Sequence, residues 1–152
     1  PIKILRFFHT YAPTMDIDND PRVFASFMKD IINGRDIEIK SDGTGKRAFC
    51  YVADAIAGLF VVLTKGKNSE AYNICNTDQF VSIRELAETL AKLRSDVKIK
   101  VTWKTRPKDE SYTENTAIGE IPPSNEKLKN LGWNTKYDIN TGFNRVLSYF
   151  LD

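Results

Sequence analysis

One histidine and two arginines carry the chemistry that can be asked of this 152-residue chain. His9 stands at the carboxy-terminal end of an apolar run, Arg22 at the start of a helical pattern, and Arg47 just after a glycine-rich turn. An imidazole can donate a hydrogen bond, and a guanidinium offers a planar fork that matches phosphate oxygens. Together these types would grip an anion. Each also has a plainer reading: His9 as a satisfied, partly buried ring, Arg47 as a solvated hairpin arginine, and Arg22 as a cation at a helix start, where the dipole mildly favours an anion beside it. Catalytic sets are missing. Tyrosine followed four residues later by lysine occurs at none of the six tyrosines, and no Gly-x-Gly-x-x-Gly turn, Gly-x-Ser-x-Gly elbow, His-Glu-x-x-His or phosphate loop is present. The chain by itself is expected to catalyse no redox chemistry.

Composition narrows the partners. A formal charge of +2, with 41% hydrophobic and 28% charged residues, describes an ordinary globular domain and makes no case for nucleic acid or an anionic membrane. The longest apolar run, Ala55 to Leu63, is far short of a bilayer span. Two cysteines, Cys50 and Cys75, sit in strand-like runs and read as buried, reduced thiols of a cytoplasmic protein. A single histidine and no Cys-x-x-Cys pair leave no metal cluster to write down. Beginning on a strand and without an initiator methionine, the chain reads as a piece of something longer.

The positioning elements follow from periodicity. Ile2 to Phe8 reads as a largely buried strand of the parallel-sheet kind, ended by Pro13. Asp20-Pro21 supplies an N-cap and first-turn proline for a helix lined by Phe24, Phe27, Met28 and Ile31 and stopped at Asn33-Gly34. Ile37 to Ile39 and Arg47 to Val52, joined by Ser41-Asp42-Gly43-Thr44-Gly45, suggest a hairpin. Asp54 is expected to cap a helix with Ile56, Leu59, Phe60 and Leu63 as its apolar stripe, ended by Gly66. Ala71 to Cys75 reads as another buried strand. Ser82 and Glu85 form a capping box before a helix lined by Ile83, Leu86, Leu90 and Leu93. Lys98 to Trp103 alternates like a half-exposed strand, and Arg106 to Pro123 is aperiodic and long for a loop. Ser124 is placed as the cap of a short helix through Leu128 and Leu131, closed by Gly132, and Asn140 as the cap of a last helix with Phe143, Val146, Leu147 and Phe150 on one face. Strands and helices mix throughout, so the class is mixed α/β.

The ordered motifs resemble the extended short-chain dehydrogenase/reductase family, within it the NAD-dependent nucleotide-sugar epimerases, dehydratases and decarboxylases, and most of all the UDP-glucuronate decarboxylase-like members. Arg6, Tyr11 and Pro13 match that family's Arg-x-x-Asn-x-Tyr-Gly-Pro, with His9 in place of asparagine and Ala12 in place of glycine. Asp20-Pro21-Arg22-Val23 is similar to an Asp-Gly-Arg-Val segment whose helix flanks the nucleotide. Asp42-Gly43, Arg47, Phe49, Tyr51-Val52 and Asp54 match Gly-x-Gly-x-x-x-Arg-x-Phe-x-Tyr-Val-x-Asp. Tyr72-Asn73-Ile74, Ser82-Ile83 with Glu85-Leu86, and Leu131-Gly132-Trp133 continue the set.

The resemblance implies a single substrate-binding lobe over 1–152, the carboxy-terminal part of an extended Rossmann-type enzyme without the dinucleotide-binding half. By it, His9, Arg22 and Arg47 bind a UDP- or dTDP-linked sugar, and the backbone at Tyr11 and Pro13 lines the NAD cofactor, which is held mostly by the other half. It also implies a dimeric parent paired through helices outside this chain. One departure is Glu120, near where many members carry a second arginine for the diphosphate. A different class of function stays open beside this: a non-enzymatic module using the same lobe to sense a nucleotide or a partner protein.

Overall fold

The computed structural model describes residues 1–104 and 121–151. Within them eight strands and five α-helices alternate: β1 (Ile4–Phe7), β2 (Thr10–Tyr11), α1 (Val23–Ile32), β3 (Ile37–Ile39), β4 (Lys46–Ala48), β5 (Cys50–Tyr51), α2 (Val52–Lys65), β6 (Ala71–Ile74), β7 (Phe80–Ser82), α3 (Ile83–Ala91), β8 (Val101–Trp103), α4 (Glu126–Lys129) and α5 (Ile139–Leu151). The class is mixed α/β. β1 pairs with β6, β2 with β5 and β3 with β8, all parallel, while β4 pairs antiparallel with β7. β1 and β2 are one strand path broken at His9, whose φ of +36° lies in the left-handed region.

Two apolar clusters hold these elements. The larger joins α1, α3 and α5 around Phe24, Met28, Leu86, Leu90, Phe143 and Val146. It confirms the inner faces expected of those three helices. α3 opens on the Ser82–Glu85 capping box: the Glu85 N–H donates to the Ser82 hydroxyl at 3.1 Å, and the Ser82 N–H donates to the Glu85 carboxylate at 2.7 Å. Gly34, at φ +65°, ends the helical turn after α1 as its type demands. The smaller cluster sets Cys50, Ala55, Val62, Tyr72, Ile74, Leu128 and Trp133 between α2 and the β1–β6 pair. Both cysteines are free and buried.

Several expectations are corrected. β3 and β4 form no hairpin. The turn between them docks instead on the start of α3, where the Ile83 N–H donates to the Gly45 carbonyl and the Arg84 N–H to the Gly43 carbonyl, each at 3.0 Å. Strand partners are thereby found far along the chain, with Ile37 opposite Val101 and Arg47 opposite Val81. Asp20 does not cap α1; it accepts from the Arg22 backbone and side chain, and Arg22 occupies the N-cap position. Asp54 caps nothing either, since α2 begins at Val52 and its carboxylate turns to the chain at Lys136 and Tyr137. The α5 start is served by Asp138, not Asn140, through the Thr141 N–H. At α4 the N-cap position is Asn125, but it is the Ser124 hydroxyl that accepts from the Glu126 N–H, at 3.4 Å.

The largest corrections concern burial. β1 is mostly exposed rather than buried, with Phe7 at 50%. Ile56, Phe60 and Leu63 on α2 are 45%, 58% and 61% exposed, because the helix turns its small residues Ala55 and Gly58 inward along with Val62. A Cβ on Gly58 would lie 3.1 Å from the Trp133 indole nitrogen, so the close approach needs glycine. Arg106 to Glu120, and with them Glu120 itself, lie outside the described residues.

Candidate functional site

Arg22 and Arg47 both lie near enough to His9, just past the carboxy-terminal end of β1, to act on its charge; parallel strands present their loops to ligands at that end. Each is placed by a different element. The His9 carbonyl accepts from the Cys50 N–H at 3.3 Å, which joins it to β5 just as β1 ends. Its ring lies against Phe49, with centroids 5.8 Å apart, and Arg47 sits two positions before Phe49 on the same path. Arg22 reaches in from the start of α1: one terminal guanidinium nitrogen donates to the Thr10 carbonyl at 3.0 Å. Its guanidinium also lies over the Phe24 ring at 4.6 Å.

Charge and burial shape this cluster. Burial lowers the His9 imidazole below its ordinary pKa, and the Arg47 and then the Arg22 guanidinium push the same way. The ring is therefore biased towards neutral, a donor at one nitrogen and an acceptor at the other. Arg22 is not idle: its Nε donates to both Asp20 oxygens at 2.9 Å, and that contact holds the Asp20 carboxyl below the usual carboxylate range. One guanidinium nitrogen of Arg47 donates to the Lys46 carbonyl at 2.7 Å, folding the side chain back along the turn. The arrangement is a concentration of donors and positive charge on a stiff aromatic backing. Its chemistry suits the holding of an oxyanion.

The two other nominated residues behave differently. Tyr11 is 2% exposed, and its ring stacks on Phe143 at 3.8 Å with 2° between the planes. Burial, more than the nearby thiol and carboxylates, drives its phenol pKa far up. What Tyr11 and the partly buried Pro13 leave to a ligand is backbone and the ring edge of proline. No glycine-rich phosphate turn occurs in the sequence.

Residue types alone did not point to the second ring of groups, which ties the carboxy-terminal segment to the strands. The Asp54 carboxylate accepts from the Lys136 and Tyr137 N–H groups at 3.0 Å, and the Trp133 indole donates to the Asp54 carbonyl at 2.9 Å. Asn76 donates to the Tyr137 carbonyl, Asn125 to the Cys75 carbonyl, and Gln79 accepts from the Ile139 N–H. Buried asparagines were the available signal. At the opposite end of β6 a polar groove of about 450 Å³ is lined by Arg6, Glu70, Asn73, Ser124 and Lys127, but Lys127 pairs with Glu70 there and matches the charge.

Residues 1–75 match the model of the NAD dependent epimerase/dehydratase family. UDP-glucuronic acid decarboxylase 6 of Arabidopsis thaliana is 35% identical over 142 residues, covering 93% of this chain and 38% of the relative. dTDP-D-glucose 4,6-dehydratase of Mus musculus is 26% identical, covering 99% and 41%. Among solved structures, UDP-glucose 4-epimerase of Thermotoga maritima with UDP-glucose superposes with a TM-score of 0.80 at 24% identity, over 98% of this chain and 45% of that one. UDP-glucuronic acid 4-epimerase of Bacillus cereus, in complex with UDP-glucuronic acid and NAD, gives 0.76 at 25% identity over 99% and 45%. The chain thus spans under half the length of these proteins. With its motifs, its fold and its relatives in agreement, the chain belongs to the NAD-dependent epimerase/dehydratase family of extended short-chain dehydrogenases/reductases.

Proposed function

We propose that residues 1–152 are the substrate-holding lobe of a nucleotide-sugar epimerase, dehydratase or decarboxylase, and that His9, Arg22 and Arg47 hold the diphosphate of a UDP- or dTDP-linked sugar. The observation that carries this is the convergence of an imidazole and two guanidiniums beyond the end of β1. UDP-glucuronic acid decarboxylases among the relatives favour a UDP-linked acidic sugar. NAD, when bound, supplies the transient hydride acceptor of such reactions, and its phosphates would be held by residues outside this chain. This lobe contributes grip: binding energy from the remote diphosphate orients the reacting sugar, which raises rate without a catalytic group of its own.

The exposed apolar residues support the same reading. Ile4 and Phe7 on β1 and Ile56, Phe60 and Leu63 on α2 suit burial against a cofactor-binding half. Arg47→Ala, made in the whole protein and titrated calorimetrically, is expected to weaken UDP-sugar binding by about 10- to 100-fold, the usual loss for a charged hydrogen bond, and to leave NAD affinity unchanged. Equal loss of both ligands, or of neither, would overturn the assignment. Arg22→Ala should cost less, because Asp20 already shares that guanidinium.

A further inference from the structure

His9 stands where the family pattern has asparagine, and an amide cannot change its charge whereas an imidazole can. We propose that His9 takes up a proton when a diphosphate settles beside Arg22 and Arg47, so that nucleotide-sugar binding at this site is coupled to pH. The proposal rests on the reading of this cluster as a diphosphate site.

The geometry has three parts. The ring is half-buried and braced by Phe49, so it cannot swing into bulk water to escape its neighbours. The backbone is strained, since φ at His9 is +36°, a region that histidine and asparagine tolerate better than most residues. Among the described residues, charged and titratable groups approach it from several elements. From β4 comes Arg47, and from the start of α1 comes Arg22, already paired with Asp20. From β5 comes Cys50, joined to His9 through its N–H and with its thiol pushed up to about 12 by burial; behind it lies Cys75, likewise pushed up to about 11. Both thiols are neutral at ordinary pH. The imidazole thus feels both guanidiniums, Arg47 more strongly than Arg22.

A bound diphosphate reverses that field. Two negative charges among the guanidiniums offset the repulsion and offer the second ring nitrogen an acceptor, which favours the imidazolium. The sign is then fixed. Burial and the two guanidiniums hold the ring's pKa below its ordinary value, and the diphosphate's negative charge moves it upward. In the window between the ligand-free and ligand-bound values binding consumes a proton, and affinity rises as pH falls, by up to about tenfold per pH unit for full uptake of one proton.

The test uses the whole protein with its NAD, and UDP-glucose as the probe. Its diphosphate does not titrate near neutrality, and epimerisation or dehydration would release no net proton. Calorimetry between pH 6 and 8, in phosphate-free buffers of different ionisation enthalpy, should show net proton uptake that disappears in His9→Asn. Asparagine suits the left-handed backbone at this position, so the variant is expected to fold. NMR of the His9 ring, assigned by comparison with His9→Asn, should show its titration midpoint move up on adding UDP-glucose. Binding with no proton uptake, equal uptake in His9→Asn, or an unmoved midpoint would each overturn the proposal. UDP-glucose affinity indifferent to Arg47→Ala and Arg22→Ala would instead overturn the underlying site reading.

Discussion

The two sides of the β1–β2 path are built to opposite specifications. Beyond its end, Tyr11, Phe24, Phe49 and Phe143 interlock within 3.8 to 6.4 Å of one another, and the cationic cluster stands on that stiff backing. Along its flank, β1 pairs among the described residues only with β6, and α2 leaves Phe60 and Leu63 in solvent. One region is internally finished; the other is apolar and exposed. The contrast teaches that one end of the path is closed by its own aromatic packing, while the flank has the character of an interface.

Three substitutions would break or sharpen the contrast. Asp54→Ala should do the most harm to the finished side, because it strands the Lys136 and Tyr137 N–H groups that the carboxylate now satisfies. A loss of about 2–4 kcal/mol is expected in denaturant unfolding, from two uncompensated donors. A loss under about 1 kcal/mol would mean that the carboxy-terminal segment is held chiefly by packing. Next comes Gly142→Ala. An added Cβ there would collide with the Tyr11 hydroxyl, and Tyr11 has Phe143 stacked against it and no room to yield. Overpacking of this kind costs about 1–3 kcal/mol. Unchanged stability would show that the aromatic backing is looser than described.

The smallest effect should fall on the exposed flank. Replacing Ile56, Phe60 and Leu63 together by serine, glutamine and lysine should shift the stability of the 152-residue chain by no more than about 0.5 kcal/mol per site, as for other surface positions. Applied to the whole protein, the same change should be markedly destabilising if the flank is covered there. A large loss in the 152-residue chain alone would show that these side chains are already packed, and would erase the contrast.

Much of the finished side was legible in the residues. α1, α3 and α5 carry stripes of three or more large apolar residues, which admit one inward face, and the Ser82–Glu85 box announces its helix. α2 misleads because its stripe of large side chains suggests an inner face, whereas close packing against Trp133 requires the small residues there. The hairpin misled because turn chemistry at Ser41 to Gly45 is a local signal and parallel pairing with β8 is not. For the site, residue types singled out His9, Arg22 and Arg47, and the family resemblance implied that they share one ligand. The left-handed backbone at His9 and the Asp20 contact of Arg22 depend on tertiary surroundings that no spacing encodes.

The docking of the Gly43 and Gly45 carbonyls on the first turn of α3 has a consequence for the order of assembly. Arg47 follows that turn directly, and its strand lies on the one that leads into α3, whose inner residues Leu86 and Leu90 are fully enclosed. The guanidinium inherits its place from a helix that settles only when the interior has condensed. In a partly folded chain that side chain would have no fixed position.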